Sequence, residues 1–516
     1  MEKTMAWWPE TGLMMDWSGM DFDEPFLAVM QGKMSDALEG MRQLEGGAIA
    51  NPDEGRMVGH YWLRAPRLAP TAALRGEIED CIARVKAFAA DVHEGKIKTE
   101  AGGAFRHVIV AGIGGSSLGP VFVSEALGSP ADRMDLFFLD NTDPAGMDAV
   151  FAAVKDDLDA ALTIVISKSG GTIETRNCML EAKHFYEANG LSFARHAVCV
   201  TGEGSKLDET AKAEGWLERF PMWDWVGGRT SVMSAVGLLP LALQGVDVGA
   251  FLRGAADCDA LGRAEALEEN PALLLALAWY RCSGGQGGTT QVVLPYKDSL
   301  SLFAKYLQQL IMESLGKERD LDGAIVHQGL AVMGNKGTSD QHSYVQQLVA
   351  GPENVFVTFV RVLRDRAGDS IAVGEESTSG DYLNAFLLGT KKALEAHGKR
   401  TLLLTVPEAD AYQVGQLIAL FERAVGLYAQ MIRINAYHQP AVEYGKKAAG
   451  GLIGLKNRAV ALLLEEKKPM TAKALAQRLG GEERDLFALL THQAANDARI
   501  CCEMRNPIGE STFAAK

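Results

Sequence analysis

Two short loops concentrate hydroxyl groups and glycines directly after apolar runs that are typical of β-strands. The first spans residues 112–119 and the second spans residues 167–175, which also contain a lysine. Side-chain hydroxyls, backbone N–H groups and a cation are the donors that a phosphate monoester needs. The sequence therefore predicts a phosphate site that draws on Gly115, Ser116, Ser167, Lys168, Ser169 and Thr172.

Two other interpretations of the first loop have to be weighed. Its glycines could belong to a nucleotide-binding turn, but Ser117 stands where GxGxxG requires the third glycine, and no Walker-type Lys-Ser or Lys-Thr pair follows. A tight turn without a ligand is the second alternative. The occurrence of two such loops after consecutive predicted strands favours a ligand, because open α/β sheets bind ligands at the carboxyl edge of their strands.

Four further side chains have the chemistry for proton transfer or charge stabilisation. Arg229 follows two glycines in VGGRTS, where a rigid loop can hold a guanidinium beside developing negative charge. Glu313 falls late in a helical pattern, and His342 opens another helix after a glycine-containing loop. Lys446 ends the segment QPAVEYGK. Each residue type is more often structural or solvated, so no single one of them identifies a catalyst.

The elements that must position these residues have the pattern of an α/β protein. Apolar residues at spacings of three and four predict an N-terminal helical arm. Short β-rich runs then alternate with helices in two series, beginning near residues 105 and 289, which predicts two parallel sheets joined by a helical bridge. A charged helical tail follows, interrupted by Pro469 and by Gly480-Gly481. The predicted domains are a helical arm (1–100), a first α/β domain with the bridge (101–285), a second α/β domain (286–447) and a helical extension (448–516).

Composition narrows the class of protein. The chain of 516 residues is 47% hydrophobic and 23% charged, which is typical of a globular protein with several cores. Its formal charge of −15 argues against nucleic acid as a partner. The 7 cysteines lack a CxxC pair and indicate neither a disulfide framework nor a zinc ribbon. Because the N-terminus is unlike a signal peptide and no apolar run reaches ~20 residues, we expect a cytoplasmic protein without a membrane span.

Six segments taken together resemble the glucose-6-phosphate isomerase family in its bacterial form. They are GIGGSSLGP, SKSGGTIET, VGGRTS, QQLIMESLGK, GTSDQHS and QPAVEYGK, in this order, between about residues 105 and 447. The histidine loop inverts Thr338-Ser339 relative to the family's GSTDQH pattern but keeps the Gln-His pair. The two hydroxyl-rich loops by themselves are similar to the sugar isomerase (SIS) domain. The resemblance therefore implies two SIS-type parallel-sheet α/β sandwich domains.

The resemblance also implies a reaction, the reversible isomerisation of glucose 6-phosphate and fructose 6-phosphate in glycolysis and gluconeogenesis. His342 and Lys446 match the residues that open the sugar ring. Glu313 matches the base that moves a proton between C2 and C1 through a cis-enediolate. Arg229 matches the cation that stabilises this intermediate. Neither a metal nor a redox cofactor is expected.

Further contacts and partners follow from the same resemblance. Gln309 and Gln439 match residues near the substrate, and the family is dimeric, with His342 serving the neighbouring subunit's site. A phosphosugar sensor without catalysis is the alternative from another class, although it would not need the four reactive side chains together. An isomerase that also accepts mannose 6-phosphate remains open. For the tail, a small helical bundle, a wing over the subunit interface and a helix-turn-helix role remain open.

Overall fold

The chain begins with a β-hairpin followed by two long helices. In the computed structural model, which describes residues 4–516 except the side chain of Glu443, these elements are β1 (Met5–Trp8), β2 (Leu13–Gly19), α1 (Glu24–Glu45) and α2 (Ala72–His93). Asp23 and Thr71 cap the two helices, because each side chain accepts a hydrogen bond from a backbone N–H of the first turn. The helices confirm the predicted arm, and the hairpin is an addition to it.

A sheet of five parallel strands comes next, with helices between successive strands. The strands are β3 (His107–Ala111), β4 (Asp135–Leu139), β5 (Ala161–Ser167), β6 (Ala197–Thr201) and β7 (Glu218–Pro221), and the helices are α3 (Leu118–Leu127), α4 (Pro144–Val154), α5 (Ile173–Ala188) and α6 (Lys206–Glu214). The strand order is β4-β3-β5-β6-β7, with every pair parallel. β5 and β6 are buried throughout, as expected of parallel strands covered by helices on both faces. The first predicted βαβ series is confirmed, and β7 extends it.

Three helices connect this sheet to the next one. They are α7 (Ala235–Gln244), α8 (Val248–Leu261) and α9 (Pro271–Ser283). α7 is buried along its whole length, and α9 is buried from Pro271 to Trp279. A helix that is apolar on all sides belongs in the interior of a large protein. These helices occupy the position of the predicted helical bridge, and their buried residues belong to the main core.

The second sheet has six strands and a mixed pattern. Its region of the chain contains β8 (Thr289–Pro295), α10 (Phe303–Leu307), β9 (Lys317–Arg319), β10 (Ile325–Gln328), β11 (Leu330–Met333), α11 (Val345–Ala350), β12 (Val355–Val362), α12 (Ser379–Ala396), β13 (Arg400–Val406) and α13 (Ala411–Met431). The order is β1-β2-β13-β12-β8-β11, and the last four strands are parallel. β2 pairs antiparallel with β13, so the N-terminal hairpin completes the sheet. The predicted α/β fold class is confirmed, with one fully parallel sheet and a second sheet whose four parallel strands are extended by the antiparallel hairpin.

A buried ionic network fastens α13 to α8 and to the N-terminal arm. Asp259 accepts from Arg64 Nε at 2.6 Å and from Arg423 Nε at 2.8 Å. Arg64 also pairs with Glu422, and Arg423 Nη2 lies 2.7 Å from Glu45 Oε1. Burial alone would raise the pKa of Asp259, but the two guanidinium groups hold that pKa below its ordinary value. The network fixes α13, which leads into the segment that contacts the candidate site.

Residues from Gln439 onward form a second compact unit, and residues up to His438 form the first. The second unit contains α14 (Val442–Glu466), β14 (Met470–Thr471), α15 (Ala472–Leu479), α16 (Glu483–Asn496), β15 (Ile500–Glu503) and β16 (Thr512–Ala515). Its helices are separated at the predicted Pro and Gly-Gly positions, and an antiparallel sheet of order β14-β16-β15 is an addition. The break between units precedes the predicted boundary at 447, and the four domain ranges remain predictions.

No helix within residues 4–516 is long and apolar enough to cross a membrane. The cytoplasmic location remains a prediction.

Candidate active site

The glycine loop after β3 packs directly against the loop that carries Arg229. A Cβ built on Gly115 would lie 2.1 Å from the carbonyl carbon of Gly228, so only glycine allows the two backbones to approach this closely. Ser231 Oγ donates to the carbonyl oxygen of Gly115 at 3.2 Å and to that of Gly228 at 2.7 Å. Two glycine-containing motifs that are more than a hundred residues apart therefore form one rigid piece of backbone.

Arg229 lies in a 3₁₀ turn, Gly228–Thr230, and is only 5% exposed. Its guanidinium donates to the carbonyl oxygens of Ala436 at 3.4 Å and His438 at 3.5 Å. Its Nε lies 3.9 Å from Glu313 Oε2. Burial lowers the pKa of Arg229, and the carboxylate of Glu313 opposes that shift. The structure therefore brings together the two residues that the sequence predicted as base and electrophile.

Glu313 ends a π-helical turn, Gln308–Glu313, that continues α10. Leu310 and Ile311 are buried in the core, and Gln308 Nε2 donates to the carbonyl oxygen of Val332 at 3.2 Å. A π-helical turn is rare, and such turns are frequently found at functional sites. The Glu313 side chain keeps 23% exposure, so its carboxylate remains accessible to a ligand.

Gln309, which the sequence placed near the substrate, lies beside the glycine loop. Its Nε2 would be 3.3 Å from a Cβ built on Gly114. Ser116 is half-buried at the end of the same 3₁₀ turn, Gly114–Ser116. The loop after β3, the π-helical turn and the arginine loop thus converge on one region of the first unit.

Lys168 links the hydroxyl-rich loop after β5 to the arginine loop by hydrogen bonds. Its Nζ donates to the carbonyl oxygens of Asp224 at 2.9 Å and Val226 at 3.1 Å, just before the two glycines that precede Arg229. Burial lowers the pKa of Lys168, and the carboxylate of Asp224, 3.6 Å away, opposes this shift. Lys168 therefore has a positioning role that the sequence did not indicate, in addition to its predicted contact with phosphate.

The remaining hydroxyls of this loop differ in exposure. Ser169 is exposed, and its Oγ accepts from Gly171 N at 3.1 Å. Thr172 is half-buried at the N-cap position of α5. The N-terminus of a helix favours an anion, because its first N–H groups have no partner within the helix. Ser167 is buried at the end of β5, and its Oγ has no hydrogen-bond partner within residues 4–516.

Lys317 is a buried cation that sequence reasoning did not assign. The residue is 7% exposed, and its Nζ donates to the backbone oxygen of Glu313 at 2.7 Å. Burial and the nearby Arg229 lower the pKa of Lys317 to about 7, and Glu313 opposes this shift. Lys317 stands four residues after Glu313 in the motif QQLIMESLGK, so the motif contained it, although nothing in the pattern distinguished it from a solvated lysine.

His438 is a second group that the sequence did not single out. Its backbone oxygen contacts Arg229, and its Nε2 lies 3.7 Å from Asp53 Oδ2 in the N-terminal arm. Burial lowers the pKa of His438, with Asp53 acting in the opposite direction and Lys317 in the same direction. The only indication in the sequence was its position next to the quoted segment QPAVEYGK.

His342 lies apart from this cluster in the contacts of the described chain. His342 is the last residue of the 3₁₀ turn Ser339–His342, which follows β11, and it is exposed. Asp340 shapes the turn, because its buried carboxylate accepts from Asn335 N at 2.8 Å and from the hydroxyl of Tyr344. The described hydrogen bond and ion pair of Glu313 are with Lys317 and Arg229, not with His342.

Two predicted site residues, Gln439 and Lys446, belong to the second unit. Gln439 is its first residue, and Lys446 is exposed near the start of α14. Their assignment to the site remains a prediction. Among the side chains that the structure describes, which exclude Glu443, no group of three or more His, Cys, Asp or Glu is arranged to hold a metal ion. The prediction that the reaction needs no cofactor also remains a prediction.

Comparison with known proteins identifies the family. A sequence profile described as Phosphoglucose isomerase matches residues 28–394. The chain is 56% identical over 511 residues to the glucose-6-phosphate isomerase of Geobacter sulfurreducens (strain ATCC 51573 / DSM 12127 / PCA), covering 98% of this chain and 97% of the relative. It is 54% identical over 508 residues to the one from Desulfitobacterium hafniense (strain Y51), covering 98% and 95%.

A solved structure gives the same result. The crystal structure of a glucose-6-phosphate isomerase from Chlamydia trachomatis D/UW-3/Cx superposes with a TM-score of 0.78 at 28% identity, covering 89% of this chain and 92% of that one. The profile and the relatives together span the glycine loop, the arginine loop, the π-helical turn and the histidine loop described above. The chain therefore belongs to the phosphoglucose isomerase family.

Proposed function

We propose that this protein interconverts glucose 6-phosphate and fructose 6-phosphate, the reaction that the name of its relatives denotes. The observation that carries the proposal is the separation of 3.9 Å between Arg229 Nε and Glu313 Oε2, beside two loops suited to a phosphate. A carboxylate that reaches two adjacent carbons and a cation that faces the developing oxyanion are what an aldose–ketose isomerisation needs.

The reaction begins with binding and ring opening. Ser116, Ser169 and Thr172, with the N-terminus of α5, bind the 6-phosphate. His342 and Lys446 move a proton between the anomeric hydroxyl and the ring oxygen, which opens the ring. In a dimer, His342 acts on the sugar in the partner's site, which agrees with its exposure and with the described polar contacts of Glu313, made with Lys317 and Arg229.

Proton transfer follows in the open-chain sugar. Glu313 takes the proton from C2, and the electrons of that bond form the cis-enediolate while the carbonyl oxygen at C1 becomes an oxyanion. Arg229 stabilises the negative charge, which is worth more in a buried site than in water. The proton of the C2 hydroxyl passes to the oxygen at C1, Glu313 returns its proton to C1, and the carbonyl forms at C2. No electrons leave the substrate.

The test is Glu313→Gln, which keeps the shape of the side chain and removes its basicity. Loss of a positioned base typically lowers the rate by about 10² to 10⁴. Isomerisation and exchange of the C2 hydrogen with deuterated water, followed by NMR, should fall together, while an unreactive phosphorylated sugar acid still binds.

The matched control is Glu318→Gln, which makes the same change at an exposed position five residues later. This variant should keep both rates. Near wild-type exchange in Glu313→Gln would show that the base is another residue. If the wild-type protein binds the sugar acid but converts neither sugar, the phosphosugar-sensor alternative is correct.

A further inference from the structure

A tight turn in the N-terminal arm reaches the segment that contacts Arg229. Asn51 and Arg56 close this turn with two backbone hydrogen bonds of 3.1 Å, one in each direction. Gly55 lies within the turn and has a φ of 63°, a conformation that favours glycine. Residues 51–56, the arm turn, therefore have a closed backbone from which polar side chains extend.

A chain of hydrogen bonds runs from the arm turn to the segment after α13. Asn435 Nδ2 donates to Asp53 Oδ2 at 2.5 Å and to Asn51 Oδ1 at 3.0 Å. Asn51 Nδ2 in turn donates to the backbone oxygen of Tyr437 at 3.4 Å. A carboxylate only accepts hydrogen bonds, so Asp53 sets the orientation of the Asn435 amide and, through it, that of Asn51. Both amides are buried, and the chain gives them the directional partners that buried polar groups require.

The same chain directs a carbonyl oxygen towards Arg229. Asn435 Oδ1 accepts from Tyr437 N at 2.9 Å. This N–H shares a planar peptide unit with the carbonyl of Ala436, and in a trans peptide the two groups point in opposite directions. Holding the N–H on one side therefore directs the Ala436 oxygen to the other side, where Arg229 Nη1 donates to it at 3.4 Å. The backbone oxygen of His438, two residues later, accepts from Arg229 Nη2 at 3.5 Å.

The N-terminal arm also contacts the loop that carries Arg229. Arg56 Nη2 lies 3.8 Å from Asp224 Oδ1, and Gly59 N donates to the backbone oxygen of Trp225 at 3.0 Å. Asp224 and Trp225 come shortly before the two glycines that precede Arg229. One short stretch of the arm therefore holds both the segment that accepts hydrogen bonds from the guanidinium and the loop from which the guanidinium extends.

The directionality of hydrogen bonds suits the task of orienting Arg229. Apolar packing favours burial without a preferred direction, whereas a hydrogen bond weakens steeply when its geometry changes. Arg229 acts on charge that develops during the reaction, so its guanidinium has to be oriented before that charge appears. Its contacts with the two carbonyl oxygens, at 3.4 and 3.5 Å, are already long, and a small further shift of the segment would break them.

We propose that Asp53 and Asn435 are positioning residues for Arg229. They act through the carbonyl oxygens of Ala436 and His438, and they set the orientation in which the guanidinium meets the cis-enediolate. This inference rests on the proposed function, because the enediolate is the species whose charge Arg229 stabilises.

Asp53→Ala removes the carboxylate on which the hydrogen-bond chain depends. The Asp53 side chain is 57% exposed, so the variant should fold with a Tm close to that of the wild type. Loss of a charged hydrogen-bond partner should lower kcat about tenfold and change the KM less than about twofold, because Arg229 contributes in the transition state. Asp53→Asn keeps an acceptor for Asn435 and should restore most of the activity.

Asp36→Ala is the matched control, because it makes the same change at an exposed position of α1 in the same arm. Its kcat and Tm should equal those of the wild type. A wild-type kcat in Asp53→Ala would overturn the proposal. Equal losses in Asp53→Ala and Asp53→Asn would also overturn it, since the charge and not the hydrogen bond would then matter.

The binding of two substrate analogues shows whether Asp53 acts through Arg229. A phosphorylated arabinonohydroxamate has a planar anionic end like that of the cis-enediolate, whereas sorbitol 6-phosphate has only hydroxyl groups there. Titration calorimetry measures both affinities in the wild type, Asp53→Ala, Arg229→Ala and the double variant. Asp53→Ala should weaken hydroxamate binding about tenfold and leave sorbitol 6-phosphate binding unchanged. It should have no further effect once Arg229 is alanine, because residues that act as a unit are not additive. Additive losses would overturn the proposal.

Activity and binding separate this inference from the proposed function. A wild-type protein that binds the hydroxamate without isomerising either sugar would reject the proposed function alone, because the coupling between Asp53 and Arg229 is measured by binding. Full isomerase activity in the wild type together with additive losses in the double variant would reject only the positioning role.

Discussion

Replacement of Lys317 by methionine should change how the stability of the first unit depends on pH. Burial and the neighbouring Arg229 lower the pKa of Lys317 from 10.5 to about 7 in the folded protein. The folded state therefore binds fewer protons than the unfolded state between these two values. In this window the stability of the wild type rises with pH, because the buried lysine loses its charge without leaving its site.

The size of the effect follows from the gap between the two pKa values. At about 1.4 kcal/mol per pH unit, a gap from about 7 to 10.5 corresponds to at most about 5 kcal/mol. Below about pH 7 the full cost of a buried ammonium is present, and Lys317→Met removes it. The free energy of unfolding of Lys317→Met, relative to wild type, should therefore be higher at about pH 6 than at about pH 10.

Urea unfolding followed by tryptophan fluorescence measures this difference. All 8 tryptophans lie before residue 280, so the fluorescence reports on the first unit. The hydrogen bond from Lys317 Nζ to the backbone oxygen of Glu313 is lost at both pH values, and the part of it that depends on the charge of Lys317 is already contained in the gap between the two pKa values. Lys392→Met replaces an exposed lysine and is the control. Its free energy of unfolding should differ from that of the wild type by the same amount at both pH values. For Lys317→Met, the difference from wild type in the free energy of unfolding should change by more than about 1 kcal/mol between about pH 6 and about pH 10. A smaller change would show that Lys317 keeps its charge over this pH range and would refute the argument.

Three further outcomes test the proposed site. Replacing both Ser169 and Thr172 by alanine should raise the KM and weaken inhibition by phosphorylated sugar acids more than it lowers kcat, and an unchanged KM would exclude these residues from the phosphate site. If His342 acts across a two-fold dimer, mixing His342→Ala subunits with Glu313→Gln subunits should restore about a quarter of the wild-type activity. About half of the dimers then contain one subunit of each kind, and one of their two sites is intact. No recovery would show that His342 and Glu313 of the same chain form one site. Enzyme treated with a chelator should remain fully active, and activity that returns only with a particular metal ion would reject the cofactor-free reaction.

The sequence determined the local elements and the order of the motifs. Strands β3 to β6 and β8, β11, β12 and β13 are visible as short apolar runs, because their buried residues are consecutive or alternate within a few positions. The glycines before Arg229 and around Gly115 were likewise informative, since positions where two backbones touch accept no Cβ. The residues that we propose as the reacting groups could be named from their motifs without coordinates.

The tertiary structure decided which of these residues meet and in what surroundings. β2 carries the alternating pattern of Leu13, Met15 and Trp17, but its partner β13 lies almost four hundred residues away, and no local pattern encodes that pairing. The lowered pKa of Lys317 arises from desolvation and from Arg229, which becomes its neighbour only in the folded chain. Burial and charge proximity are properties of the packed molecule, so residue type and spacing name the chemistry of a site, whereas packing sets its electrostatics.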